Sequence, residues 1–285
     1  WTADEAQSRE VLDAYTRAGG NFIDTSNSYL VEHGRSETII GRWIADRDNR
    51  EDLVVATKVG GGREPFRNLR PETIQNEARA SIERLQIDRI DLYYAHFDDQ
   101  QTPLQESLGA FDSLVKDGIV RHLGASNYTP ERLTEALRLQ RELGLSEFTV
   151  LQPHYNLVER EFERTLLPVA ETWDLAVLPY FALAMGFLTG KYRPGRGDVD
   201  SQRAEAARRY LDGGERVLKA LDEVGAAHRS SVAAVALAWL RARPKIVAPI
   251  ASARTVSQLD EILPSVKLDL TADEIEQLSS ASEVS

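Results

Sequence analysis

The segment "NFIDTSNSYL" (residues 21–30) begins apolar and ends polar, and this change of character indicates the fold. Asn21–Thr25 is predicted to be a short buried strand, and Asp24 near its end is followed closely by small polar residues and Tyr29. Polar side chains at the end of a buried strand are typical of parallel α/β folds, in which ligands bind at the carboxyl ends of the strands. The chain contains other strand-like runs of this kind.

Seven such runs occur, and their nearly continuous apolar character favours parallel strands that are covered on both faces. The predicted strands are Asn21–Thr25, Leu53–Val59, Ile90–His96, His122–Ser126, Thr149–Tyr155, Ala176–Leu183 and Ile246–Ala251. Helical patterns lie between them, at residues 3–18, 36–46, 71–85, 104–117, 130–143, 159–173, 213–227, 230–242 and 255–263.

This alternation predicts an α/β protein with a (β/α)8 TIM barrel, if one further strand precedes Trp1. The competing doubly wound fold would place a Gly-x-Gly-x-x-Gly turn after an early strand, and "KVGGGREP" (58–65) lacks that spacing. We expect a single barrel domain over residues 1–285 whose first strand is missing from the chain. Residues 184–212 are predicted to form a long βα loop of the kind that covers active sites.

The amino-acid composition and net charge of the chain argue against several classes of function. The chain has 285 residues, of which 42% are hydrophobic and 28% charged, and this is typical of an ordinary globular protein. A net charge of -11 argues against nucleic acid and anionic membranes as partners. The absence of cysteine excludes disulfides and thiolate chemistry. With no membrane-length apolar run and no signal peptide, the sequence predicts a cytoplasmic protein.

Polar or aromatic residues stand at the ends of most of the predicted strands. They are Asp24, Lys58, His96, Ser126 with Asn127, Gln152 and Tyr180, while the last strand ends at Ile250 and beyond. Each residue taken alone has an ordinary structural explanation. Asp24 could cap a turn, and His96 could be a buried histidine whose hydrogen bonds are satisfied within the protein. All of them would lie on the same rim of one barrel, and this shared location favours a functional cluster.

Asp24, Tyr29, Lys58 and His96 together suit proton transfer to a carbonyl oxygen. A nearby ammonium lowers the pKa of a tyrosine from its reference value of about 10, and Lys58 can supply that charge. Asp24 would hold the ammonium in place, and a neutral His96 could donate to the substrate oxygen. No activated Ser, Cys or metal cluster is visible, so a hydride must come from a nicotinamide cofactor, and no metal site is predicted.

These motifs, in this order, resemble the aldo-keto reductase superfamily over essentially the whole chain. The matching segments are "NFIDTSNSY", "RSETIIGRW", "VVATKVG", "IDLYYAHFDD", "GIVRHLGASNY", "LQPHYNLVER" and "VLPYFALAMGFLTGKYR". The resemblance implies NADPH-dependent reduction of an aldehyde or ketone. In it, Tyr29 is the general acid, Lys58 tunes it, Asp24 pairs with Lys58 and His96 orients the carbonyl.

The resemblance also implies a set of NADP(H)-binding residues. The nicotinamide end would be held by Ser126, Asn127, Gln152 and Tyr180, the pyrophosphate by Leu183, Gly186, Leu188 and Lys191, and the adenosine end by Ile250, Arg254, Gln258 and Glu261. Arg254 would face the 2′-phosphate, which favours NADP(H) over NAD(H) because a guanidinium fits a phosphate in a forked geometry.

Some points depart from the pattern or stay open. Ala251 and Ser252 occupy a segment in which the family often has Gly, and Ile262 stands where an Asn commonly follows the clamp Glu. A cofactor-binding regulatory subunit with little turnover, and a Schiff-base lyase with Lys58 as nucleophile, remain as alternatives. The substrate is a small-molecule carbonyl compound of unspecified class, and we expect a monomer, the family's commonest state.

Overall fold

Five parallel strands form the centre of the first part of the chain, in the order in which the sequence presents them. The computed structural model of the protein describes residues 4–29, 32–193 and 204–283. The strands are β1 (Phe22–Asp24), β2 (Val54–Val59), β3 (Ile90–Ala95), β4 (Val120–Ser126) and β5 (Phe148–Gln152). Each pairs in parallel with the next, so the prediction of an α/β protein with successive parallel strands is confirmed.

The helices of this part agree with the predicted ones to within two residues at each end. They are α1 (Glu5–Arg17), α2 (Arg35–Arg47), α3 (Pro71–Leu85), α4 (Leu104–Lys116) and α5 (Pro130–Glu142). Pro71 and Pro130 occupy first helical positions, where the missing N–H is not needed. The Thr129 hydroxyl accepts from the Arg132 N–H and so caps α5.

The chain forms two compact units. The first contains Trp1–Gln152 and Val169–Leu175, and the second contains Pro153–Pro168 and Ala176–Ser285. The elements after β5 are α6 (Glu161–Thr165), α7 (Leu167–Thr172), β6 (Ala176–Val177), α8 (Ala204–Arg208), α9 (Leu211–His228), α10 (Val232–Arg241), α11 (Val256–Ile262) and α12 (Ala272–Ala281).

The last two predicted strands are much shorter than expected. Ala176–Leu183 is strand only in β6, and Ile246–Ala251 retains one bridge, from Ile246 to Val177. Pro179 and Pro249 interrupt the two runs, since proline has no N–H for a ladder hydrogen bond. The described residues contain six strands, so the eight-stranded barrel stays a prediction, and the strand expected before Trp1 lies outside them.

Helical pieces also differ from the predicted pattern. The helix predicted over residues 159–173 is divided into α6 and α7 next to Pro168, which cannot continue the hydrogen-bond series. Helix α12 was not predicted, although Thr271 and Glu274 form a capping box that is legible as "TADE". Within the predicted loop 184–212, Ala184–Thr189 forms a 3-10 segment, and residues 194–203 lie outside the described part.

Tyr94 and Gly124 determine how β3 and β4 pack beneath the strand ends. Tyr94 is fully buried in a cluster with Ala56 and Leu92, and Gly124 is its register partner on β4. A Cβ atom at Gly124 would lie 2.5 Å from ring atoms of Tyr94 and 3.1 Å from the Val150 carbonyl oxygen. The tyrosine ring therefore occupies the space that any larger residue would need.

Replacing Gly124 with Ala should lower the free energy of unfolding by about 1–3 kcal/mol, because the added methyl overpacks the ring and the strand. Urea unfolding of both proteins measures this difference. Gly109→Ala is the matched control, since nothing lies within 4 Å of a Cβ at this position in α4. It should stabilise by about 0.5–1 kcal/mol. Equal destabilisation by both substitutions would contradict the packing explanation.

Candidate active site

Lys58 on β2 has no exposed side-chain surface, and each of its three N–H groups has a partner. Its Nζ donates to Asp24 Oδ1 at 2.6 Å, to the Thr25 carbonyl oxygen at 2.8 Å and to the Tyr29 hydroxyl at 2.9 Å. Burial lowers the pKa of Lys58 from its ordinary value, and the Asp24 carboxylate opposes that shift. The lysine is thus fixed between a carboxylate and a phenol.

The pairing of β1 with β2 brings these groups to one edge of the sheet. Asp24 is the last residue of β1 and stands in register with Ala56, two residues before Lys58. Tyr29 lies in the following loop, with its hydroxyl 3.4 Å from Asp24 Oδ1 and its ring centroid 4.7 Å from the lysine nitrogen. Asp24, Tyr29 and Lys58 therefore meet as the sequence predicts.

Gln152, at the end of β5, joins the same cluster. Its Nε2 donates to Asp24 Oδ2 at 2.9 Å, while Asp24 Oδ1 accepts from Lys58. The two oxygens of the carboxylate thus have different donors, which fixes the plane of the group. The sequence linked Gln152 to the cofactor only, and its contact with Asp24 over 128 residues has no local sequence signal.

His96 follows β3 and packs against the Tyr29 loop. Its Nδ1 lies 3.3 Å from the Ser26 hydroxyl and 3.4 Å from the Ser28 hydroxyl. Its ring meets that of Tyr29 edge-on, with 5.9 Å between centroids. A Cβ atom at Gly61 would lie only 2.2 Å from Nδ1, so this backbone must be glycine. Sequence reasoning missed both serines and Gly61, although the small polar run and the glycine triplet were visible.

The charge state of His96 follows from its surroundings. Burial, and secondarily the charge of Lys58, lowers the pKa of His96 from 6.5 to about 3. The imidazole is therefore neutral at ordinary pH and carries one N–H. A neutral imidazole can donate that hydrogen without adding a second positive charge beside Lys58.

Ser126 and Asn127, the other predicted nicotinamide ligands of the first unit, stand where β4 ends. The Ser126 hydroxyl donates to the Gln152 carbonyl oxygen at 2.8 Å. Asn127 has φ 57°, a left-handed conformation that asparagine tolerates, and its Nδ2 donates to the His96 carbonyl oxygen at 2.8 Å. The structure thus brings all seven predicted site residues of the first unit to neighbouring strand ends.

The predicted cofactor residues of the second unit fall into separate groups. Tyr180 stacks on His154, with 5.3 Å between ring centroids and an interplanar angle of 14°. The Ile250 N–H donates to the carbonyl oxygen of Pro179, which places Ile250 beside the Tyr180 backbone.

Leu183, Gly186, Leu188 and Lys191 lie in one turn. The Leu183 carbonyl oxygen accepts from the N–H groups of Gly186 and Leu188. Gly186 has φ +98°, and a Cβ there would lie 3.2 Å from Lys191 Cε. The left-handed backbone and the close approach of Lys191 both favour glycine at this position.

Arg254 and Gln258 lie together at the start of α11. The Arg254 N–H donates to Gln258 Oε1 at 2.9 Å, and the Thr255 hydroxyl caps the helix by accepting from the Gln258 N–H. Glu261 lies near the other end of α11, where its carbonyl oxygen accepts from the Ser231 hydroxyl. The structure therefore groups Arg254 with Gln258 and gives Glu261 a different neighbour.

The described residues contain neither a metal-ligand group nor a membrane-spanning helix. Among the residues that the structure describes, no three His, Asp or Glu side chains are grouped so that they could hold a metal ion. Within the same residues, every helix is too short or too polar to cross a bilayer.

Successive parallel strands define an α/β protein in which Asp24, Lys58 and His96 lie at or next to the carboxyl ends of β1, β2 and β3. The model of the aldo/keto reductase family matches residues 1–283, and the chain belongs to this family. It is 35% identical to aldo-keto reductase ausK of Aspergillus calidoustus, over 98% of this chain and 75% of the relative.

Two other relatives carry names that mention substrates. The chain is 31% identical to the putative aryl-alcohol dehydrogenase AAD14 of Saccharomyces cerevisiae, over 97% of this chain and 77% of that protein. It is also 31% identical to norsolorinic acid reductase B of Aspergillus parasiticus, over 96% of this chain and 74% of that protein. Family membership and these names support an oxidoreductase activity.

The pKa of His96 predicts a specific acid sensitivity. Between about pH 6.5 and 3 the unfolded chain binds a proton at this histidine that the folded protein excludes. The free energy of unfolding should therefore fall on acidification, by up to about 1.4 kcal/mol per pH unit from this group. Urea unfolding at several pH values should show a shallower slope for His96→Gln than for the parent. His122→Gln, at an exposed histidine on β4, is the control and should keep the parent slope.

If His96→Gln retained the full slope of the parent protein, His96 would not be the buried neutral group that the structure indicates.

Proposed function

We propose that this protein is an NADPH-dependent carbonyl reductase in which Tyr29 is the general acid. The observation that carries the proposal is the Lys58 ammonium, which donates to both the Asp24 carboxylate and the Tyr29 hydroxyl. Family membership and the reductase and dehydrogenase names of the relatives support the reaction class.

The side chains at the strand ends suit a nicotinamide cofactor. Ser126, Asn127 and Gln152 present hydroxyl and amide groups, the hydrogen-bonding partners that a carboxamide requires. In the second unit, Tyr180 offers an aromatic face, and Arg254 offers a cation suited to the 2′-phosphate of NADP(H). The cofactor would supply the hydride, which no amino-acid side chain can provide.

Tyr29 would donate its phenolic proton to the oxygen of the reduced carbonyl. An adjacent ammonium stabilises the phenolate that remains, so Lys58 at 2.9 Å makes the proton easier to release. Asp24 keeps that ammonium charged and oriented, and Gln152 fixes Asp24 through its second oxygen. The four residues divide the work between one group that reacts and three that prepare it.

His96 would orient the substrate. With Nδ1 facing the hydroxyls of Ser26 and Ser28, the ring can accept a hydrogen bond on that nitrogen and carry its proton on Nε2. This N–H is then free to donate to the carbonyl oxygen. Because the imidazole is neutral, its role would be to position and polarise the carbonyl.

We propose aromatic aldehydes or ketones as the substrate class. Phe97 is 36% exposed and stacks on His96, with 4.9 Å between ring centroids. Phe66 stacks on His33 at 3.9 Å, so two aromatic pairs flank the Tyr29 loop in the same unit. The names of the aryl-alcohol dehydrogenase and norsolorinic acid reductase relatives favour the same class.

The geometry of Lys58 argues against a Schiff-base lyase. A nucleophilic lysine needs an unprotonated amine directed at a substrate, whereas all three donors of Lys58 are engaged and its side chain is fully buried. A regulatory subunit would bind NADPH without turnover, so a steady-state assay separates it from a reductase.

We further propose one (β/α)8 barrel domain over residues 1–285, which the family match and the successive parallel strands support. The monomeric state and the cytoplasmic location stay predictions from the sequence.

Tyr29→Phe should lower kcat for aldehyde reduction by about 10²–10⁴-fold, because general-acid catalysis contributes on that order. The dissociation constant of NADPH, measured by fluorescence titration, should stay near the parent value. Tyr15→Phe is the matched control, because the Tyr15 hydroxyl bonds to the Phe22 backbone outside the cluster. Parent-level turnover by Tyr29→Phe would remove Tyr29 from the mechanism.

Arg254→Ala should raise the dissociation constant of NADPH by about 10–100-fold, as expected for a lost charged hydrogen bond, and leave that of NADH nearly unchanged. Lys267→Ala removes an exposed cation of the same unit and should affect neither cofactor. If Arg254→Ala weakened the binding of NADPH and of NADH equally, this arginine would not contact the 2′-phosphate.

A further inference from the structure

Behind the loop that carries Tyr29 lies a second group of buried charges. This loop, called here the Tyr29 loop, comprises the described residues 25–29 and 32–34. Glu77 on α3 is only 8% exposed and faces the loop. Its Oε2 accepts from Asn27 Nδ2 and from His33 Nε2, each at 2.8 Å. One carboxylate oxygen thus binds the loop on both sides of Tyr29.

The loop is closed on itself at the same place. The Gly34 N–H donates to the Asn27 carbonyl oxygen at 2.6 Å, so two residues of the loop on either side of Tyr29 are adjacent. Asn27 is fully buried, and its side-chain amide reaches Glu77. Loss of Glu77 would leave that amide buried without this acceptor, which costs more than the hydrogen bond itself.

Glu77 also belongs to a series of charged residues that contact one another, together with Arg84 and Glu37. Arg84 Nη2 lies 3.4 Å from Glu77 Oε2, and Arg84 Nε donates to Glu37 Oε2 at 2.7 Å. Glu37 is fully buried, and its other oxygen accepts from the Thr57 hydroxyl. Thr57 immediately precedes Lys58 on β2. The series therefore connects the strand that carries Lys58 with the loop that carries Tyr29.

This connection matters because Tyr29 is the one member of the cluster that lies on a loop. Asp24 and Lys58 are fixed by the β1–β2 pairing, whereas the position of the phenol depends on the loop conformation. A displacement of about 1 Å in a reacting group can cost about 10²-fold in rate. The hydrogen bond between Lys58 and Tyr29 therefore needs support from the side of the loop that faces away from the sheet.

We propose that Glu77 is a positioning residue for Tyr29: it anchors the Tyr29 loop through Asn27 and His33 and so keeps the phenol against Lys58. The effect on catalysis rests on the carbonyl reductase function proposed above. Glu77 itself touches neither substrate nor cofactor in this scheme and acts only through the loop.

Glu77→Ala should lower kcat by about 10–100-fold, while the dissociation constant of NADPH stays within about two-fold of the parent value. Asn27→Ala removes the loop side of the same contact and should lower kcat similarly. If the two substitutions act by breaking the same contact, kcat of the double variant should be no lower than kcat of the more impaired single variant. Glu77→Gln keeps a neutral acceptor for Asn27 and should recover part of the lost kcat.

Asp91→Asn is the matched control. Asp91, near the start of β3, is as buried as Glu77, at 8% exposure. Its carboxylate accepts from Arg50 and from the N–H of Val55 on β2. This substitution should reduce stability without lowering kcat. A kcat of Glu77→Ala at the parent level, or a loss of the same size in Asp91→Asn, would overturn the proposal.

Hydrogen exchange separates this proposal from the proposed function. By mass spectrometry, the peptide covering residues 25–34 should exchange faster in Glu77→Ala and Asn27→Ala than in the parent and in Asp91→Asn. An inactive parent protein would contradict the reductase assignment, and faster exchange in this peptide would still support the anchoring role. Unchanged exchange in both variants would overturn that role whatever the activity.

Discussion

The buried ammonium of Lys58 is the constraint on which the rest of the site depends. A charge without exposed surface is costly unless it is paired and fully hydrogen-bonded, and here the partners come from three places. Asp24 ends β1, the Thr25 carbonyl oxygen begins the following loop, and the Tyr29 hydroxyl lies further along it. Satisfying one ammonium therefore fixes the end of β1, the fifth residue of β2 and the path of the loop. The position of the Tyr29 phenol follows from the same requirement.

Burial lowers the pKa of both Lys58 and His96, but the neighbours of the two groups differ, and this difference suits them to different tasks. Burial acts on both, but Lys58 has a carboxylate at 2.6 Å that opposes it, whereas His96 has only hydroxyls near Nδ1. Lys58 can remain a cation that stabilises a phenolate, and His96 remains neutral and can donate to a carbonyl oxygen. Environments that separate neighbouring groups in this way are typical of sites that transfer protons.

Local patterns were enough to predict the strands and helices of the first unit and to indicate which polar residues stand at or next to its strand ends. The last two predicted strands were too long. Their apolar character alone predicts longer strands, but Pro179 and Pro249 interrupt the two runs. The contact between Asp24 and Lys58 was predicted, whereas two other contacts between distant residues were not. Gln152 contacts Asp24, and Glu77 contacts Asn27, because the fold brings together elements that are far apart in the sequence. No local sequence pattern indicates such contacts.

Transfer of deuterium from NADPH labelled at nicotinamide C4 is the most direct measurement of carbonyl reduction by this protein. With an aromatic aldehyde as substrate and each stereoisomer of the labelled cofactor in turn, mass spectrometry would follow the label into the alcohol. Reduction by a positioned nicotinamide predicts deuterium on the carbinol carbon with one stereoisomer and its absence with the other. Alcohol formed at the same rate without deuterium from either cofactor would contradict hydride transfer at this site.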